Sequence, residues 1–227
     1  MAIFLLYHVI EIKEFYMKNL NKKDIKILFD SLSVKFKNPK SELDFNNNFE
    51  LLCAVMLSAQ TTDKAVNSVT PSLFKIAPDA KTMSSLNTDV IENCIKRLGL
   101  FRNKAKNLIE MSKVLVSRFD GLVPDNYDDL VALPGVGSKT AKVVLNVGFK
   151  QNTIAVDTHI FRVCNRTGLC IGKTVKEVEN NVVFNVPKEH LYNAHHYLLL
   201  HGRYVCTAKK PDCINCCLND ICKKNLE

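Results

Sequence analysis

The sequence predicts an all-helical protein. Tryptophan is absent, glycine accounts for 8 of 227 residues, and the strict apolar–polar alternation of half-buried strands is hard to find. Long segments instead repeat apolar residues every three or four positions, which is the period of a helix with one buried face. A chain of this length forms one large or two small domains, and either can bury a core.

The first half of the chain contains three clear helical segments. Residues 22–36 are amphipathic, whereas Phe49–Gln60 is apolar on nearly every face and is therefore expected inside a core. Thr62 or Asp63 is expected to cap the third helix. Pro71 is expected to kink or break that helix, because proline lacks the N–H that an interior helical turn requires.

The helices that follow are recognised by their ends. Two of them close near a glycine, as helices often do, and Asp157 is expected to cap another. The predicted helices, apart from the hairpin described below, cover residues 87–100, 103–121, 157–168, 173–186 and 189–206.

The net charge of +8 favours a polyanionic partner, and nucleic acid is the first candidate. An AT-rich genome that enriches lysine is the alternative explanation. No run of about 18 apolar residues is present, so no membrane partner is expected. The N-terminal segment lacks a basic leader and a cleavage site, which makes it a poor signal peptide. Residues 1–16 are interpreted as an extension ahead of a domain start at Met17, which suggests a misassigned start.

The stretch LPGVGSKTAKVVLN places two glycines and a lysine at the start of a predicted helix, an arrangement that suits an anion. It lacks the spacing of a P-loop and of a dinucleotide fingerprint. A short helix opening at Pro124 and Asp125, a PGVG turn and a second helix from Ser138 to about Val147 are expected, with Gly148 ending the second helix.

This segment, at residues 126–148, resembles the helix-hairpin-helix motif, which grips the DNA backbone without reading its sequence. The turn offers backbone N–H groups at the start of the second helix to a phosphate. Gly135, Gly137 and Lys142 are the expected contacts. A plain turn between two helices, with Lys139 in solvent, is the alternative for this segment alone.

Five of the nine cysteines lie near the end of the chain, from Cys206 onward. Without a secretion signal, this crowding favours a reduced compartment and a metal site over disulfides. Four of them can wrap a zinc ion or a 4Fe-4S cluster. These four have the spacing C-x6-C-x2-C-x5-C and are Cys206, Cys213, Cys216 and Cys222.

The x6–x2–x5 spacing is similar to the cluster loop of the endonuclease III family of DNA glycosylases. The stretches ELLCAVMLSAQ, LPGVGSKTAKVVLN, IAVDTHIFRVCNR and HGRYVC resemble the same family in the same order, so the resemblance extends from about residue 41 to residue 222. It implies a 4Fe-4S cluster as the cofactor. Cys217 is interpreted as a non-ligand, because its use would change the spacing.

The resemblance also implies two helical domains with double-stranded DNA in the groove between them. A six-helix barrel that contains the hairpin is expected over residues 41–151, and an iron–sulfur cluster domain over 17–40 and 152–227. The expected protein is a monomer in the cytoplasm, associated with the nucleoid.

Lys139 becomes the nucleophile under this resemblance, and Asp157, 18 positions later, its acid–base partner. The amine attacks the sugar of a damaged nucleotide, expels an oxidised pyrimidine and leaves a Schiff base, after which the 3′ phosphate departs by β-elimination. Only a neutral amine attacks, and desolvation together with the nearby charge of Lys142 favours that form.

Four further residues are expected at the DNA. The target nucleotide must leave the base stack, and the residues that fill the gap in the family correspond by position to Gln60 and Leu100. Lys209 and Lys210 lie inside the x6 loop, where a bound metal would make them a rigid pair of cations for a phosphate. A solvated turn is the alternative for these two lysines.

Three other functions fit parts of the sequence. An adenine-removing glycosylase of the same superfamily shares the hairpin, the aspartate and the cluster, but it generally lacks a lysine at the position of Lys139 and carries a further C-terminal domain. A non-catalytic DNA-binding module with a structural metal does not need Asp157 as a partner of the lysine. An electron carrier built around the cluster has no use for the basic surface or the hairpin.

Overall fold

The computed structural model describes residues 19–225, and every regular element in that range is a helix, which confirms the predicted all-helical class. The expected extension at residues 1–16 lies outside the described residues. In chain order the helices are α1 (Lys22–Lys35), α2 (Asn48–Leu57), α3 (Asp63–Asn67), α4 (Thr70–Ile76), α5 (Ala80–Ser85), α6 (Thr88–Ile95), α7 (Phe101–Phe119), α8 (Tyr127–Val131), α9 (Ser138–Phe149), α10 (Thr158–Thr167), α11 (Val175–Asn185), a 3-10 turn (Lys188–His190) and α12 (Leu191–Tyr204).

The chain divides into two compact units. The first unit combines the chain up to Lys40 with the chain from Thr153 onward, and the second unit runs from Ser41 to Asn152. The second boundary expected from the sequence lies one residue earlier. Each unit has its own cluster of buried apolar side chains, so each encloses a separate core.

Helix α2 lies at the centre of the core of the second unit. Every residue from Phe49 to Leu57 is buried, which confirms the prediction of a helix inside a core. The expected end at Gln60 is wrong: the helix ends at Leu57, and the chain then turns, with Gln60 in the left-handed region at φ 54. Its one buried carboxylate, that of Glu50, accepts the backbone N–H of Asn46 at 2.7 Å and the side-chain amide of Asn46 at 2.9 Å. These bonds offset the loss of solvation of the charge.

The predicted break at Pro71 is confirmed. Helix α3 ends at Asn67 and α4 begins anew with Pro71 in its first turn, where the missing N–H removes no helical hydrogen bond. Thr62 caps α3 by accepting the N–H of Ala65 at 3.3 Å. This break and the short helix α5, which the sequence did not indicate, divide the second unit into eight helical segments within residues 41–152.

The prediction that Gly148 ends α9 is wrong. The helix continues to Phe149 and closes with Lys150 in the left-handed region at φ 55. A Cβ at Gly148 would lie 2.7 Å from Oδ1 of Asn48 and 3.0 Å from a methyl carbon of Leu51. The glycine therefore permits the close approach of α9 to α2, a role that depends on tertiary packing.

The first unit packs α1, α10, α11 and α12 around its own core. On α1 the side chains of Leu28, Phe29 and Leu32 are fully buried. The segment ahead of α1 is held by the N–H of Leu20, which donates to the carbonyl of Gly168 at 2.7 Å, just after the end of α10. Within residues 19–225, none of the helices has the length and apolar character needed to cross a membrane.

Candidate active site

Helices α8 and α9 form the expected hairpin. The first of them begins at Tyr127, slightly later than expected, and Asn126 caps it by accepting the N–H of Asp129 at 3.0 Å. The turn contains Gly135 at φ 77, and a Cβ there would lie 2.8 Å from the Cβ of Asn107. A side chain would be strained and would also collide, so the turn requires glycine at this position.

The N-terminus of α9 is built to receive an anion. Its N-cap is Gly137, which has no side chain to accept the first N–H groups, and a Cβ at Gly137 would have no described atom within 4 Å. The hydroxyl of Ser138 is buried there without a hydrogen-bond partner among the described residues. Uncapped N–H groups and the helix dipole together favour a phosphate at such an end.

The two lysines of the hairpin lie on α9, just after its N-cap. Lys139 is the second residue of α9 and is exposed, whereas Lys142 is half-buried one turn further along. Both amines are therefore carried by the first two turns of the helix whose N-terminus is uncapped. This arrangement places two lysines at a helix end that suits a phosphate.

Asp157 caps α10, as the sequence predicts. Its Oδ1 atom accepts the backbone N–H groups of His159 and Ile160, each at 2.9 Å, and the residue is half-buried. Two backbone N–H donors and the positive end of the helix converge on this carboxylate. The carboxylate is consequently held in one orientation at the start of α10.

Gln60 and Leu100 both line a cavity of about 170 Å³ in the second unit. Both residues are exposed, and both have left-handed backbone conformations, with φ 54 for Gln60 and φ 57 for Leu100. Such conformations are strained in residues with a side chain. Gly135 of the hairpin turn lines the same cavity, so the structure brings together three residues that were predicted separately to contact DNA.

Lys104 also lines this cavity, and sequence reasoning did not identify it. The residue is only 8% exposed, and its Nζ donates to the hydroxyl of Thr61 at 2.7 Å. Burial lowers the pKa of the ammonium group. A lysine in the first turn of an amphipathic helix is ordinarily solvated, so the sequence carries no signal for its burial.

The four predicted cluster cysteines, Cys206, Cys213, Cys216 and Cys222, line a single cavity in the first unit, hereafter the cysteine cavity. Cys217 is exposed and does not line it. Burial raises the pKa of the Cys222 thiol, and the three other cluster thiols raise it further. As they stand, no three His, Cys, Asp or Glu side chains within residues 19–225 are arranged to hold a metal ion.

Backbone N–H groups and one arginine donate to sulfur atoms of the four predicted cluster cysteines. The N–H of Leu218 donates to Sγ of Cys216 and the N–H of Lys224 to Sγ of Cys222, each at 3.4 Å. The guanidinium of Arg166 lies 3.7 Å from Sγ of Cys206. Hydrogen bonds of this kind stabilise negative charge on thiolate ligands.

Arg166 also fastens the loop that follows Cys206. It donates to the carbonyl of Thr207 at 2.7 Å and to that of Ala208 at 2.9 Å. The Thr207 hydroxyl donates to the carbonyl of Lys210 at 2.7 Å, which closes the loop on itself. Lys209 and Lys210 are exposed on this loop, so a braced segment presents both cations to solvent.

Helix-hairpin-helix repair proteins are the class that the fold and the hairpin define. Residues 53–188 match the family described as HhH-GPD superfamily base excision DNA repair protein. Endonuclease III of Haemophilus influenzae is 50% identical over 186 residues, which are 82% of this chain and 88% of that protein. Endonuclease III of Treponema pallidum is 45% identical over 209 residues, which are 92% of this chain and 99% of that protein.

A solved structure of a trapped endonuclease III–DNA covalent intermediate is similar to this one, with a TM-score of 0.84 and 40% sequence identity, and the match covers 90% of this chain and 97% of that chain. The chain therefore belongs to the endonuclease III family. Its function is that of a bifunctional base excision repair enzyme, which joins DNA glycosylase and abasic-site lyase activities. The family and enzyme class expected from the sequence are confirmed.

Proposed function

We propose that the enzyme removes oxidised pyrimidines from double-stranded DNA and cleaves the strand 3′ to the resulting site by β-elimination, with Lys139 as the nucleophile. The observation that carries the proposal is the exposed position of Lys139 in the first turn of α9, at a helix N-terminus without a side-chain cap, which suits a phosphate. A relative in this family has been trapped as a covalent intermediate with DNA, which supports a reaction in which the enzyme forms a covalent bond to its substrate.

The proposed reaction needs a nucleophile that also acts as an electron sink. The Nζ atom of Lys139 attacks the anomeric carbon, and the damaged base leaves with the bonding electrons. The sugar ring then opens, with the C1′–O4′ bond breaking and a proton passing from the amine to O4′, which leaves a Schiff base. This Schiff base acidifies the neighbouring sugar proton, and loss of that proton expels the 3′ phosphate. Hydrolysis then returns the free amine.

Asp157 is proposed as the acid–base partner in this reaction. Its carboxylate accepts two backbone N–H groups at the positive end of α10, which fix its orientation. An ionised carboxylate stabilises positive charge that develops on the sugar and accepts a proton from the attacking amine.

The remaining predicted residues are proposed to hold the DNA. The hairpin binds a backbone phosphate through the N–H groups that follow Gly135 and Gly137, with Lys142 as an added charge. Gln60 and Leu100 enter the base stack and fill the space of the extruded nucleotide. The expected monomeric state and the expected location at the nucleoid stay predictions.

The cysteine cavity is proposed to hold a 4Fe-4S cluster. The four cysteines that line it and the backbone N–H groups aimed at their sulfurs fit a cationic group bound by thiolates. When bound, the cluster would anchor both ends of the loop that carries Lys209 and Lys210, which extends the bracing by Arg166.

Borohydride trapping tests the proposal. The wild-type enzyme should form a covalent complex with a duplex that contains an oxidised pyrimidine, whereas Lys139→Ala should form none. Lys106→Ala is the matched control, because it removes an exposed lysine of the same unit that has no assigned role at the DNA, and it should still be trapped. Equal trapping by Lys139→Ala and wild type would overturn the assignment of the nucleophile. Faster excision of an oxidised purine or of uracil would overturn the substrate class.

A further inference from the structure

Lys104 makes hydrogen bonds close to both Gln60 and Leu100, hereafter the two tips. Its backbone N–H makes the first helical hydrogen bond of α7, to the carbonyl of the N-cap residue Leu100 at 3.1 Å. Its Nζ donates to the hydroxyl of Thr61, the residue after Gln60, at 2.7 Å. The two tips are 40 positions apart in the sequence, so a single residue links two segments that local structure leaves independent.

The burial of this ammonium group requires a compensating interaction. Lys104 is 8% exposed at the wall of the cavity that the two tips also line. Removing an ammonium from water is costly unless it is hydrogen-bonded, and burial lowers its pKa accordingly. Among the described residues, its side-chain partner is a neutral hydroxyl rather than a carboxylate. The bond therefore serves to hold the loop after α2 against the first turn of α7.

Thr61 carries this constraint to Gln60. Its hydroxyl, which accepts from Lys104, also donates to the carbonyl of Ala59 at 3.3 Å, and its N–H donates to the carbonyl of Ser58 at 3.1 Å. The backbone is thus held on both sides of Gln60, whose φ is 54. Strained backbone conformations of this kind persist only where several surrounding contacts hold them in place.

We propose that Lys104 is a positioning residue that sets Gln60 and Leu100 as one two-pronged wedge, so that both side chains enter damaged DNA together. The inference rests on the proposed function, in which these two residues fill the space of the extruded nucleotide. The ammonium of Lys104 acts through Thr61, which it holds against the first turn of α7 next to Leu100, and it does not touch the reacting atoms. Because the two tips are already held together before binding, they lose less conformational entropy on binding DNA than two independent loops would.

The test uses the full-length enzyme and a duplex with a tetrahydrofuran abasic analogue opposite 2-aminopurine, together with the undamaged duplex. Lys104→Met removes the ammonium at nearly constant shape, and Thr61→Val removes its acceptor while the lysine is kept. Each should reduce the preference for the damaged duplex by about tenfold, with a smaller rise in 2-aminopurine fluorescence. The double variant should lose little more than either single variant, because both changes break one bond.

Lys106→Met is the matched control, since it removes an exposed lysine from the same helix and should leave the preference unchanged. An unchanged preference in Thr61→Val, or fully additive losses in the double variant, would overturn the inference. Gln60→Ala and Leu100→Ala separate this failure from that of the proposed function. If those two variants keep the wild-type preference, the wedge assignment itself is wrong.

Discussion

Asp157 holds the first turn of α10 through Ile160, whose backbone N–H donates to the carboxylate at 2.9 Å. The same oxygen atom accepts the N–H of His159. One side chain thus combines a structural cap with the carboxylate that the proposed reaction needs. The two roles are separable by mutation, because asparagine caps a helix about as well as aspartate but carries no charge.

The variant Asp157→Asn should keep the fold and lose activity. Its free energy of unfolding in urea should lie within about 0.5 kcal/mol of wild type, while excision of an oxidised pyrimidine should fall at least about 100-fold. Asp157→Ala should lose the same activity and, in addition, about 1 kcal/mol of stability. Wild-type excision by Asp157→Asn would show that the residue is a cap alone.

Gly135→Ala should destabilise the hairpin. The alanine would have to adopt φ 77 with its Cβ 2.8 Å from Asn107, so we expect a loss of about 1–3 kcal/mol in urea denaturation. Gly99→Ala is the control in the same unit, because a Cβ there has no described atom within 4 Å. Equal stability of the two variants would contradict a steric requirement for glycine in the turn.

His196 should make stability dependent on pH. Burial lowers its pKa below the ordinary 6.5, and the charge of Arg203 lowers it further. The folded state therefore binds fewer protons than the unfolded state just below pH 6.5, so its stability falls as the pH drops through that value, by at most about 1.4 kcal/mol per pH unit. Urea denaturation at pH 7.5, 6.5 and 5.5 should show a shallower decline for His196→Gln than for wild type. Parallel declines would contradict the assignment.

Iron content should distinguish Cys217 from its neighbour. Cys216 lines the cysteine cavity and Cys217 does not, so Cys216→Ser should lose most of its iron and sulfide, whereas Cys217→Ser should retain about the wild-type amount. Chemical analysis of the purified variants measures both. Equal loss in the two variants would contradict the ligand assignment, and zinc without iron in the wild-type protein would overturn the cluster.

Replacement of Lys209 and Lys210 by alanine should weaken DNA binding on any sequence. Loss of two phosphate contacts should reduce the slope of log K against log salt by about 1.8, since each contact contributes about 0.9. The charge-matched control is the double alanine variant of Lys22 and Lys23, which are exposed on α1. Identical slopes for the two double variants would show that the loop lysines contribute only general charge.

Structural features that depend only on residues a few positions apart, such as helix caps and helix breaks, are predictable from the sequence. The caps at Thr62 and Asp157 and the break at Pro71 follow from which side chain meets which backbone N–H a few positions away. The sequence does not show the role of Gly148, because a glycine near a helix end suits both a helix terminus and a close helix crossing. Which of the two applies depends on α2, a hundred positions earlier.

Local chain chemistry is therefore enough to specify the helical class, the glycine turn before Lys139 and the spacing of the four cluster cysteines. Packing between distant segments settles the rest: the shared cavity of Gln60, Leu100 and Gly135, and the burial of Lys104 against a threonine 43 positions away. The physical reason is the distance along the chain over which each interaction acts. Periodicity and capping are properties of neighbouring residues, whereas burial of a charge depends on which helices meet, and a single sequence does not display that pairing.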